Sequence, residues 1–252
     1  MLLENKVAIV TGAGSGMGAA ISKLYAKNGA KVIVADVNMD GANQTVQDIQ
    51  TASGQATAVS CNVAKEEDID HMFQTTLDTY GQVDILVNNA GIMDNFVPVG
   101  DLTNDLWSKV LSINLTGPMM AARNAINHFL DNNKSGVIIN IASVGGLFGA
   151  RGGASYVCSK HALVGMTKNI AAVYGDKNIR CNVICPGSIQ TNIGSTITNP
   201  NQVGMEALMK GVGPSAMGTA EDIADAALFL ASGNAKFVNG TSIVVDGGWT
   251  CR

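Results

Sequence analysis

Short runs of aliphatic and β-branched residues alternate with longer stretches whose apolar positions recur at helical spacing from one end of the chain to the other. Residues 7–10, 32–35, 56–60, 85–87, 137–141, 179–184 and 242–245 read as seven strands. Each is a near-continuous apolar run rather than an alternating one, the pattern of strands buried on both faces. Between them, helical periodicity spans about 17–28, 40–53, 66–79, 104–131, 155–174 and 220–232. Alternation of this kind predicts an α/β fold: right-handed crossovers build a doubly wound, mostly parallel seven-stranded sheet with helices on both faces. No repeat, low-complexity tract or linker interrupts it, so residues 1–252 are expected to form a single domain. In helix 155–174 the pattern puts Ala162, Leu163, Met166, Ile170 and Val173 on the buried stripe, with Tyr156 and Lys160 at its edge, on a cleft rim.

Residues 188–217 break the alternation, being rich in Gly, Asn, Ser and Thr with apolar islands. A connection of that length after a strand's carboxyl end predicts a lid over a site, and Met205, Leu208 and Met209 fit one face of a short helix within it.

Composition narrows the function classes. The net charge is −4 with no run of Lys or Arg, which argues against nucleic acid and anionic membrane as partners. No apolar run approaches the roughly 18 residues of a membrane span. The N-terminus has no signal-peptide layout, and five cysteines, an odd number, predict reduced thiols in the cytoplasm. Three histidines lying far apart in sequence do not suggest a metal site.

Two stretches carry chemistry. Thr11-Gly12-Ala13-Gly14-Ser15-Gly16-Met17-Gly18 follows the first strand and opens the first helix, where glycines admit a pyrophosphate and free N–H groups meet it. Asp36 ends the second strand, eighteen residues past Gly18, where a carboxylate can accept both ribose hydroxyls of adenosine and repel a 2′-phosphate. No basic residue stands nearby, since Val37 follows, so NAD(H) is the expected cofactor. The second stretch is Tyr156-Val157-Cys158-Ser159-Lys160. A phenol and an ammonium four apart on a helix face the same way, and a cation beside a phenol favours phenolate, bringing proton transfer towards neutral pH.

Together with Asn88-Asn89-Ala90-Gly91, Asn114, Ser143 and Pro186-Gly187, these motifs resemble the classical short-chain dehydrogenase/reductase family, in its order and spacing, over residues 6–249. The resemblance implies a Rossmann-type domain with Tyr156 as general acid/base and Lys160 tuning it and bonding the nicotinamide ribose. Ser143 orients the substrate oxygen, and Asn114 holds a water that links Lys160 to solvent. It implies adenine contacts from Asn62 and Val63, nicotinamide-side contacts from Asn89, Ala90 and Gly91, and carboxamide contacts from Ile189 and Thr191. The cofactor set is thus Gly12, Ser15, Gly16, Met17, Gly18, Asp36 and these residues, with Tyr156 and Lys160. The family usually has Asp where Asn62 stands, and many relatives carry arginine at the position of Ala216.

Ser143, Gly145, Phe148, Tyr156 and Met205 are the expected substrate contacts, with Met93, Asn95, Phe96, Leu147, Ile189 and Met209 as further walls. They are largely uncharged, which suits a neutral secondary alcohol or ketone: an alcohol dehydrogenase or carbonyl reductase. A 3-oxoacyl-carrier-protein reductase and acetoin/diacetyl, sugar and hydroxysteroid oxidoreductases are the alternatives. In a different class stands a non-enzymatic NAD-binding regulator, expected to lose one of Asn114, Ser143, Tyr156 or Lys160. Small residues along the two long helices, and the family's habit, predict a homotetramer.

Overall fold

A computed structural model describes residues 1–211 and 217–251. All seven expected strands form: β1 (Val7–Thr11), β2 (Lys31–Asp36), β3 (Gln55–Ser60), β4 (Ile85–Asn88), β5 (Gly136–Ile141), β6 (Ile179–Pro186) and β7 (Ser242–Val245). They make one sheet in the order β3-β2-β1-β4-β5-β6-β7, and every pairing is parallel. Helices α1 (Gly16–Lys27), α2 (Met39–Thr51), α3 (Glu66–Tyr80), α4 (Asn104–Leu111), α5 (Gly117–Asp131), α6 (Ala154–Tyr174), α7 (Gln202–Lys210) and α8 (Ala220–Ala231) complete it. On one face Ile21 and Tyr25 of α1 meet Ile223 and Leu230 of α8; on the other, Met72 of α3, Phe129 of α5 and Ile170 of α6 share a second core. The five inner strands β2, β1, β4, β5 and β6 are therefore buried from both sides, which explains their apolar runs, whereas the edge strands β3 and β7 are only partly covered.

Strand order reverses between β1 and β4. Chains leaving those two strands diverge to opposite faces and open a crevice at the sheet's carboxyl edge. Among the described residues no helix is long and apolar enough to cross a membrane.

Two expectations about helices need correction. The stretch 104–131 is not one helix: α4 and α5 are joined by a π-helical turn over Ser112–Thr116. Pro118 has no N–H for the carbonyl four residues back, which is Asn114's, and its ring crowds that carbonyl, so the helix widens there. Apolar periodicity runs smoothly through such a turn and does not disclose it.

Helix α6 is also rotated from the orientation its apolar residues suggest. Ala162 and Val173 are exposed and Met166 only half-buried, whereas Ser155, Tyr156, Ser159, Lys160 and Thr167 are buried with Leu163 and Ile170. Tyr156 and Lys160 thus lie within the buried face and not at its edge. The polar groups on that face have buried partners: Ser155 with Asp94, Ser159 with Asn114, and Thr167 with Asn140. Satisfied in this way, they cost little to bury.

Candidate active site

Chain leaving β1 turns through Gly12 (φ +63°) and Gly16 (φ +52°) into α1. A side chain at Gly18 would collide with the Gly12 carbonyl and with Asn89, so this glycine serves close packing of helix against strand rather than ligand contact. The turn borders a cleft of about 310 Å³ that runs along the carboxyl edge. Gly12, Ser15, Gly16, Met17, Asp36, Asn62, Val63, Asn89, Ala90, Gly91 and Thr191 all line it, as expected. Gly18, Ile189, Tyr156 and Lys160 do not. Ile189 packs against the core and pairs with Gly218. Val37, next to Asp36, also lines the cleft, as do Cys61, Ile92, Ile113, Asn192, Ile193, Ser195 and Thr196, which the sequence does not single out. They carry no motif and meet only because loops far apart in the chain converge.

Several features of the cleft fit a dinucleotide. The first turn of α1 has no acidic residue, and Ser15 at its start spends no side-chain bond on capping it, so its N–H groups suit a pyrophosphate. Asn89 donates to the carbonyls of Thr11 (2.9 Å) and Gly12 (3.0 Å), while its buried Oδ1 has no partner, an acceptor awaiting a donor. Asp36 is held by the N–H groups of Gly14 and Asn38, 2.8 Å to each oxygen, which leaves lone pairs on both. None of the lining residues is Lys or Arg. Asn62 accepts from Ala64 N with its side chain, and its own N–H goes to Asp68, so the amide is held in place without the family's usual carboxylate.

Beyond the cleft, at the ends of β5 and β6, Tyr156 and Lys160 are 5% and 3% exposed. The Tyr156 ring is bracketed by two glycines: a Cβ at Gly145 would sit 3.3 Å from its edge, and one at Gly152, 2.5 Å. The Ser143 hydroxyl accepts from Gly145 N at 3.0 Å, which orients it. The Lys160 ammonium donates to the Ile141 carbonyl (2.9 Å) and lies 5.7 Å from the centre of the Tyr156 ring. Asn114 is fully buried in the π-turn, where it exchanges hydrogen bonds with both backbone groups of Ile92 (2.9 and 3.0 Å). A side chain at Gly91 would come within 3.3 Å of Asn114 Oδ1 and 3.5 Å of Lys160 Nζ, so the nicotinamide-side loop adjoins this polar group.

The electrostatics depart from expectation in one respect. Burial pushes the Tyr156 phenol up to about 12, with hydrogen bonding to Ser143 pulling the other way. The sequence reading had Lys160 lower it; desolvation wins in this structure. Burial also holds Lys160 down, at about 8. Its unfolded value is near 10.5, so between pH 8 and 10.5 the unfolded state binds more protons. Its stabilising contribution is therefore complete above 10.5 and lost as pH falls through 8, by at most about 1.4 kcal/mol per pH unit. Lys160→Met should flatten this slope in urea unfolding at about pH 7.5, 8.5 and 9.5. Taking the difference from wild type removes the buried Cys61, Cys181 and Cys185, whose raised values act oppositely. An unchanged slope would mean that Lys160 titrates as it does in the unfolded chain.

Of the expected substrate contacts, Ser143, Gly145 and Tyr156 come together. Phe148 is largely exposed, Met205 half-buried on α7, and Met209 solvent-facing. Leu147 turns inward to pack with Leu163 and Val183. The segment expected as a lid pairs Ile189 with Gly218, makes a tight turn over Asn192–Thr196 and then forms α7. Ala216 lies outside the described residues. Asp94, which the sequence reading passed over, lies beneath Tyr156.

A family model described as enoyl-(acyl carrier protein) reductase matches residues 12–250. The chain is 40% identical over 250 residues to 3beta-hydroxysteroid dehydrogenase 2 of Eggerthella lenta, covering 99% of this chain and 96% of that protein. It is 34% identical over 249 residues to the cyclohexanol dehydrogenase of Acinetobacter sp. (strain SE19), again covering 99% and 96%. A crystal structure of a dehydrogenase/reductase from Sinorhizobium meliloti 1021 superposes with a TM-score of 0.87 at 34% identity, over 98% of this chain and 96% of that one.

Proposed function

The chain belongs to the short-chain dehydrogenase/reductase family, oxidoreductases acting on CH–OH groups, and from that premise we propose that it interconverts a neutral secondary alcohol and its ketone with NAD(H). The observation that carries the proposal is the grouping of Tyr156, Ser143 and Lys160 at the sheet's carboxyl edge, beside a cleft fitted for a dinucleotide. The turn from Gly12 to Met17, with Asp36, Asn62, Val63, Asn89, Ala90, Gly91 and Thr191, would hold the dinucleotide, which when bound would supply or accept the hydride.

Tyr156 carries the proton. In the reducing direction its hydroxyl donates to the substrate oxygen; in the oxidising direction the phenolate takes the proton back. With the phenol pushed up to about 12, the free protein favours the acid form, and oxidation calls for a higher pH than reduction. Ser143, oriented by Gly145 N, hydrogen-bonds the same oxygen. Lys160 keeps most of its charge at pH 7 and favours the phenolate through the field of its ammonium. Asn114 braces the loop after β4 through Ile92.

Asp36 supports NAD(H) over NADP(H), because the carboxylate is fixed at the adenosine end with no cation beside it. The apolar side chains of Leu147, Phe148 and Met205 expected near Ser143, and relatives named for hydroxysteroid and cyclohexanol oxidation, favour a cyclic apolar alcohol. Initial rates with cyclohexanol, a 3β-hydroxysteroid, acetoin, glucose and a 3-oxoacyl thioester, with NAD⁺ or NADH as the direction requires, test this. The highest kcat/KM is expected among the cyclic apolar substrates. Turnover confined to the acyl thioester would replace this reading with a carrier-protein reductase, and turnover of none would point to a binding-only protein.

A further inference from the structure

The N-cap of helix α6 is Gly153, which has no side chain to cap it. Its first N–H groups would lie buried without partners, at a cost of about 1–3 kcal/mol each, had the chain not supplied acceptors from elsewhere. Those acceptors come from a turn that follows β4 and is nearly sixty residues distant. Asp94, 0% exposed, takes Gly153 N at 2.8 Å and Phe96 N at 3.2 Å on one oxygen. On the other it takes Tyr156 N at 2.8 Å and Ser155 Oγ at 3.0 Å. Ala154 N completes the set by donating to the Val97 carbonyl at 2.9 Å.

The fit leaves little slack. A Cβ at Gly153 would fall 2.5 Å from one Asp94 oxygen and 2.6 Å from the other. The turn itself holds two consecutive left-handed residues, Asn95 (φ +55°) and Phe96 (φ +57°), a backbone that side-chain-bearing residues seldom adopt. No cation lies within ion-pair distance of Asp94 among the described residues. A buried, unpaired carboxylate is costly, and here it is offset by four donors and the positive end of a 21-residue helix. Such an arrangement is more than an ordinary helix cap requires, since one hydroxyl or amide oxygen at the N-cap is the usual means. The same turn also seats the segment before α7, through Asn95 Oδ1 to Thr198 N (2.9 Å) and Asn95 O to Asn201 N (2.8 Å).

We propose that Asp94 is a positioning residue for the hydride-transfer reaction: it fixes the first turn of α6, and with it the place of the Tyr156 phenol. The inference rests on Tyr156 being the proton carrier. Polar and charged groups surround Tyr156: Asp94 from the turn after β4 on its backbone N–H, and, toward the side chain, Ser143 after β5, Cys185 from β6 and Lys160 from the next turn of α6. Arg151 precedes α6, and its guanidinium stacks on Trp249 at 4.7 Å. Asp94, as a fixed negative charge, disfavours the phenolate, so removing it should let Tyr156 ionise at lower pH.

Three variants test this by kcat, KM, cofactor Kd from nicotinamide fluorescence, and the pH profile of kcat for alcohol oxidation. Asp94→Asn keeps shape but in its better orientation sets an NH₂ group against the Tyr156 N–H, and in the other against those of Gly153 and Phe96, and it loses the charge. It is expected to lower kcat by about tenfold to a hundredfold, as sub-ångström misplacement of a reacting group does, while cofactor Kd stays within about twofold. Its pH profile should shift towards acid, which a purely structural role would not produce. Ser155→Ala removes one ligand and keeps the charge, so kcat should fall by about threefold to tenfold with no shift in the profile. A folded Asp94→Asn enzyme with wild-type kcat and pH profile would overturn the inference. Should Asp94→Asn give no cooperative unfolding transition, Ser155→Ala decides, and wild-type kcat there overturns it equally. Tyr156→Phe is run alongside: retained turnover would sink the proton-carrier reading, whereas lost turnover there with an unaffected Asp94→Asn sinks only this inference.

Discussion

Tyr156→Phe is expected to lower kcat by about 10²–10⁴-fold, the range that one positioned proton donor contributes, and to leave cofactor affinity nearly unchanged. The fold should tolerate the change, because the ring is held by Gly145 and Gly152 and Phe fills the same space. What goes is the hydroxyl, and with it the path by which a proton reaches the substrate oxygen. Steady-state kinetics in both directions, with thermal unfolding as a control on structure, measure it. Turnover within about threefold of wild type would assign the proton to another group.

The second large effect is on cofactor choice. Wild-type enzyme is expected to prefer NADH, and Asp36→Ala with Val37→Arg to reverse the preference. Hydrogen bonds to a carboxylate contribute about 1.5–3 kcal/mol, so losing the ribose acceptor should raise KM for NADH by about tenfold to a hundredfold. Val37 is 68% exposed at the cleft's edge, so an arginine there displaces no core and offers the 2′-phosphate a fork of donors. Asp36 also holds Gly14 N and Asn38 N, so the alanine should weaken both cofactors somewhat while the arginine rescues NADPH alone. The ratio of kcat/KM for the two cofactors is the measurement, and a wild-type preference for NADPH would refute the role given to Asp36.

Much of this site can be read from local pattern because its parts are local. The glycine turn must follow a strand and open a helix, and Asp36 must end the next strand. Tyr156 and Lys160 need only be one helical turn apart. Each rule acts over a few residues, so each leaves a trace in the order of amino acids. The inner strands are legible for the same reason: burial on both faces demands apolar runs, while the half-covered edge strands β3 and β7 show through their β-branched and small apolar residues.

Asp94 was not legible, since nothing near it in sequence calls for a carboxylate. Its partners lie at 153–156, and only the return of the chain to β4's carboxyl end makes them neighbours. The face that α6 buries was misjudged for a related reason. Apolar periodicity assumes that polar groups avoid the interior, and Ser155, Ser159 and Thr167 go inside because Asp94, Asn114 and Asn140 meet them there. Burial also reversed the direction expected for Tyr156, since desolvation is a property of the packed interior and leaves no mark on a Tyr-x-x-x-Lys spacing. Fold class and the identity of the chemical groups follow from short-range rules written along the chain. The setting of those groups, from the side α6 turns inward to the carboxylate that holds its first turn, depends on contacts between distant segments and exists only once the chain has packed.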